Sequence, residues 1–130
     1  MDLKSLFQVN AVVALLYGIG LLVVPVSFLA MYGIAVNPGN AVVGQLFGAS
    51  LITIGLISWF AREAEAGVAR HAIVQSLCWG NVIGGATCAF GTVTGAVGPM
   101  GWSSVGVYFL LGGAYAYFLY MKAEAPQPAK

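Results

Sequence analysis

Four long apolar runs, with charge only at their rims, constrain this chain more than any other feature. They extend from about Leu6 to Val24, Ala41 to Ala61, Val68 to Val93 and Trp102 to Met121. Each is near the length, about 20 residues, that carries a helix across a hydrocarbon core of about 30 Å. In lipid such a run must be helical, because every backbone N–H and C=O needs a partner inside its own segment. The sequence therefore predicts an all-α membrane protein. Its fold is a four-transmembrane-helix bundle over residues 1–122, and residues 123–130, with two prolines, form a disordered cytoplasmic tail.

Composition agrees with lipid as the main solvent. Hydrophobic residues make up 60% of the 130 and charged residues 7%, against about 45–50% and about 25% in soluble domains. So few charges cannot clothe a soluble surface of this size. The net charge of +1 comes with no basic patch, which excludes a nucleic-acid partner. The first run follows Lys4 as a secretory signal would. It is longer than a signal's apolar core and contains Gln8, Asn10 and Tyr17, so it reads as a retained span.

Charge also sets topology. The connections Gly33–Asn40 and Thr94–Gly101 carry none, whereas Asp2, Lys4, Arg62, Glu63, Glu65, Arg70, Lys122, Glu124 and Lys130 fall at the termini or between spans two and three. With four spans those regions share one side. The positive-inside rule makes that side cytoplasmic, giving a multi-pass protein of a bacterial-type inner membrane with both termini inside (N-in/C-in). On the outer side Pro25–Gly33 reads as a short interfacial helix after span one, opened by Pro25 and stopped by Gly33 at its C′ position. Asn37-Pro38-Gly39 and Gly98-Pro99 read as turns. Tyr32 and Trp102 are expected at the outer interface, and Trp59, Phe60, Tyr117 and Tyr120 at the inner one.

Within the spans the glycines form stripes. Gly44 and Gly48, Gly80 and Gly84, and Gly112 and Gly113 are the expected helix-packing positions, since small residues let backbones approach closely where lipid provides no hydrophobic drive. Such stripes serve either packing inside the bundle or docking of another subunit. Asn10–Gly18 echoes Asn40–Gly48 thirty residues on. An inverted-repeat relic and coincidence within a small-residue alphabet both explain that echo.

Polar side chains inside the spans are few. Asn81, Gln45, Tyr17, Gln75 and Asn10 are the candidates to line an interior cavity, although amides in bundles commonly bond across helices instead. His71, the single histidine, stands at the cytoplasmic entry to span three and is a capping or solvated side chain unless a haem- or chlorophyll-type cofactor docks at that rim. Cys78 and Cys88 share one helix, separated by roughly 15 Å along its axis, which is beyond disulfide reach. No span interior holds Asp, Glu, Lys or Arg, and no metal-ligand cluster, nucleophile–base pair or phosphate loop is present in the sequence. No catalytic residue and no metal site is expected.

The succession of Pro25, Phe28-Leu-Ala-Met-Tyr-Gly33, Gln45-Leu-Phe-Gly-Ala-Ser50 and Ile54-Gly-Leu-Ile-Ser-Trp-Phe-Ala-Arg62 resembles the small four-span bacterial membrane proteins of the DoxX-like kind. The resemblance covers about residues 1–122. It implies membership of membrane complexes, including thiosulfate- and quinone-linked redox assemblies. Many relatives carry an arginine where this chain has Gln45, so no charged-site function transfers. Three expectations follow. The first is a non-catalytic accessory or structural subunit, in contact with membrane lipids and with other integral subunits or copies of itself. The second is a binder or passive carrier of a quinone, lipid or pigment, and the third is a subunit of a membrane redox enzyme.

Overall fold

The computed structural model describes residues 1–122, and the tail at 123–130 lies outside the described residues. Five helices follow in order: α1 (Leu3–Val23), α2 (Pro25–Met31), α3 (Pro38–Ala61), α4 (Val68–Val93) and α5 (Gly101–Ala116), the last continued by a π-helical turn over Tyr117–Met121. No strand is present among the described residues. Four helices are long and apolar enough to cross a membrane: α1, α3, α4 and α5 with its π turn. The chain is an integral, multi-pass membrane protein by that architecture.

The helix ends follow from local side chains. Asp2 caps α1 by accepting the Ser5 amide at 2.7 Å, so the helix begins before the apolar run does. The stretch read as an Asn37-Pro38-Gly39 turn is instead the start of α3. Asn37 is its N-cap and accepts the Asn40 amide at 2.9 Å, while Pro38 takes the first helical position, where its missing N–H costs nothing. Helix α2 ends as its sequence indicates. Gly33 adopts φ 70°, its amide bonds Ala30 O and the Ile34 amide reaches back to Leu29 O, a pairing that satisfies the last carbonyls of the helix.

The spans associate as two antiparallel pairs. Helix α1 packs along α3, and α4 along α5. Contact between the pairs runs chiefly from α1 to α5, and α3 and α4 barely touch although they are consecutive. In the first pair Gly18 lies against Gly48, and Gly55 lies against Leu15 and the Ala11 backbone. A Cβ on Gly48 would stand 2.7 Å from the Gly18 carbonyl oxygen, so only glycine permits this crossing. In the second pair Gly84 and Gly85 receive the rings of Tyr108 and Phe109, and Gly112 faces Asn81.

Between the pairs, apolar packing gathers toward the charged end. Leu3, Leu6 and Phe7 of α1 form one cluster with Ala61, Val74, Leu77, Cys78, Leu111, Tyr115 and Leu119. The Phe7 and Tyr115 rings meet there at 5.9 Å between centroids. At the uncharged end the pairs are tied by backbone instead, the Gly98 amide donating to Tyr32 O at 2.7 Å.

Replacing Gly48 by leucine is expected to destabilise the fold by about 1–3 kcal/mol, the usual cost of overpacking a closed contact. Gly113→Leu should leave stability near the parent value, because nothing lies within 4 Å of that position. Reversible unfolding in mixed micelles compares the two.

Candidate functional site

Most of the polar groups inside the bundle fall into two clusters, one at each joint between the helix pairs. In the charged half, Asn10 of α1 is buried and its Nδ2 donates to Ser58 Oγ of α3 at 2.6 Å. The Ser58 hydroxyl in turn donates to Ile54 O at 2.9 Å. Tyr115 of α5, wholly buried, presents its hydroxyl toward Ser58. Asn10, Ser58 and Tyr115 come from three spans, and the Tyr115 ring meets that of Phe7.

In the uncharged half the cluster is aromatic. Tyr17 meets Phe28 edge to face at 5.6 Å, and Phe28 stacks on Tyr32 at 5.7 Å. The hydroxyls of Tyr32 and Ser104 share a hydrogen bond of 2.8 Å. Tyr108, half-buried in the same half, lays its ring over Gly84 of α4. Burial pushes the Tyr32 phenol up to about 12, so it is neutral at physiological pH. The sequence reading placed Tyr32 at the outer interface. The structure buries it, because α2 turns its Phe28–Tyr32 face inward and leaves Val26 and Met31 exposed.

The other candidates are dispersed. Asn81 is buried, but its Nδ2 returns to Leu77 O of its own helix at 2.7 Å. Gln45 is half-buried and its Nε2 donates to Leu22 O at 3.1 Å, satisfying one of the open carbonyls at the end of α1. Gln75 is exposed. Tyr17 is half-buried between the pairs. Of the five, only Asn10 and Tyr17 reach the two clusters. Gly44 lies beneath Leu29, and Gly48, Gly84 and Gly112 are occupied as described, whereas Gly80 and Gly113 face open space.

Ser58, Tyr115, Ser104 and Tyr108 were not singled out from sequence. The signal for the first two is weak: Ser58 and Tyr115 each place a hydroxyl inside an apolar run, where it needs a partner from its own helix or from another span.

His71 is exposed at the charged end, and its backbone amide donates to Gly67 O. Around that rim Lys4 pairs with Glu63 at 2.9 Å, joining the N-terminus to the α3–α4 connection. The Arg62 guanidinium lies 3.7 Å above the Trp59 ring and 3.4 Å from Glu63. Arg70 donates to Ala64 O at 2.9 Å. Among the described residues no group of His, Cys, Asp and Glu is arranged to hold a metal ion.

The Lys4 bond holds the Glu63 carboxyl below its usual range, and the Ser5 amide does the same for Asp2. Both folded values are depressed, so the stability they contribute is present above the unfolded carboxylate range and is lost as pH falls through the folded values. Acid titration of unfolding should show that loss, and the Asp2→Asn, Glu63→Gln double variant should flatten it. No family model, curated protein or solved structure matches the chain, so its function is read from its own residues.

Proposed function

We propose that this chain is a non-catalytic accessory or structural subunit that packs within the bilayer against another membrane helix, using the outer surface of the α4–α5 pair. The observation that carries this reading is the uneven use of glycine. Gly18, Gly20, Gly44, Gly48 and Gly55 of α1 and α3 all have a neighbour where a Cβ would stand. Gly80, Gly106 and Gly113 of α4 and α5 have none within 4 Å. Gly106 and Gly113 lie about two turns apart on one stripe of α5. Glycine in a helix interior is destabilising by about 1 kcal/mol relative to alanine, and inside this chain these three gain no close packing in return. A partner helix approaching that surface supplies it.

The placement of charge supports a bacterial-type inner membrane location with both termini cytoplasmic. The resemblance to DoxX-like proteins supports a place within an assembly. A second reading, reversible binding of a quinone, lipid or pigment, is favoured by the half-buried Tyr17 and Tyr108 in the half where the apolar core thins out.

Native-membrane purification tests both. The Gly106→Ile, Gly113→Ile variant should melt close to the parent, since no other described residue comes within 4 Å of a Cβ at either position. It should also lose the stoichiometric partner, or the self-associated form, seen with the parent on native gels. A parent that purifies as a partnerless monomer would overturn the subunit reading. Recovery of a bound small molecule from that monomer would favour the second.

A further inference from the structure

Two cations at the charged rim converge on one carboxylate oxygen. Lys4 Nζ lies 2.9 Å and Arg62 Nε 3.4 Å from Glu63 Oε1, so the trio keeps one net positive charge. The helices fix its height. Lys4 belongs to the first turn of α1 and Arg62 closes α3, where two of the spans reach the same rim. That is the level of lipid phosphates. The Arg62 guanidinium is also held in place, 3.7 Å above the Trp59 ring and with Nη1 donating to Trp59 O. An arginine has five N–H donors. At least three of those on Arg62 have no acceptor among the described residues, and neither do at least two of the three on Lys4.

We propose that Lys4, Arg62 and Trp59 hold the phosphate diester of an anionic phospholipid from the surrounding leaflet. Its oxygens accept from the open edge of the guanidinium and from the Lys4 ammonium, and the planar fork of arginine suits a phosphate better than a point charge does. Trp59 and Phe60, both exposed, offer apolar surface to the start of the acyl chains. The net positive charge favours a headgroup that carries no cation of its own. Glu63 has an opposing part, since it aligns both cations and competes with the phosphate for their donors. The site lies on the α1–α3 pair and is independent of the docking surface on α4 and α5.

Native mass spectrometry of the full chain tests it, with the protein released from micelles that contain phosphatidylglycerol and phosphatidylcholine of matched acyl chains. The parent should retain phosphatidylglycerol in preference. Arg62→Gln and Lys4→Gln should each lower that retention by about fivefold, the effect of one basic residue at an anionic surface. Lys122→Gln makes the same charge change at the same rim, beside Phe118, and should leave retention near the parent value. Glu63→Gln separates binding from a structural role: it removes both ion pairs, yet it should raise phosphatidylglycerol retention because the competing carboxylate is gone. Equal retention of the two lipids, a fall in Glu63→Gln, or a loss in Lys122→Gln as large as in Arg62→Gln would overturn the site. Inorganic phosphate is the second probe. It should fail to displace the lipid, and full displacement would overturn the lipid assignment in favour of a soluble phosphate.

Discussion

A close backbone approach between spans, Gly18 against Gly48, sets the geometry on which the rest depends. Apolar burial does little to bring helices together in lipid, because acyl chains are as apolar as leucine. Association rests on dispersion between closely fitted backbones and on hydrogen bonds between spans, and both fall off steeply with distance. Once the α1–α3 crossing closes at these two glycines, Gly55 receives Leu15 one side of it and Gly44 receives Leu29 of α2 on the other. Gln45 then reaches Leu22 O at the end of α1. The Asn10–Gly18 and Asn40–Gly48 echo gains a physical meaning from this crossing. Its two terminal glycines are the residues that meet. The two asparagines do not share a role: Asn10 bonds Ser58 across the bundle, and Asn40 bonds Ala35 O in the connection before its helix.

The second level of assembly is looser and differently built. Within each pair the glycines allow close contact over much of the helix length. Between the pairs contact is localised, with an apolar and polar joint at the charged end and a backbone clasp at the uncharged end. Hydrogen bonds matter more at such joints than their individual size suggests, typically on the order of 1 kcal/mol, because little other contact fixes how one pair is rotated against the other. Tyr32 shows this at the uncharged end, where its hydroxyl holds Ser104 and its carbonyl holds Gly98. A single residue of the α2–α3 connection thereby grips both α5 and the loop before it.

The spans, their order and the short helix after span one were legible in the sequence because each has a one-dimensional cause: apolar length, Pro25 and Gly33. Helix starts were less legible. Asn37-Pro38 serves equally as a turn and as an N-cap with its first residue, and only the distance from Asn37 Oδ1 to the Asn40 amide separates the two. The interior clusters were legible only in part. Asn10 stood out as an amide in an apolar run, but Ser58 and Tyr115 did not, since serine satisfies itself on its own helix and tyrosine belongs naturally to membrane interfaces. What makes them a cluster is the pairing of α1 with α3 and of α1 with α5, and no periodicity in one span records which span it will face.

The same limit explains why the glycines could not be sorted in advance. Gly80 and Gly84 belong to one small-xxx-small pattern, yet Gly84 receives the Tyr108 ring and Gly80 faces open space. Positions four apart in a helix share a side only approximately, about 40° out of register, and a large aromatic on the neighbouring helix amplifies that offset into contact at one and none at the other. Tyr108 fills the α4–α5 groove so fully at Gly84 that the pattern's remaining capacity is displaced to the outside of the pair. Gly106 and Gly113 repeat on α5 with no such aromatic to account for them, and a repeat on one stripe is what an approaching helix requires.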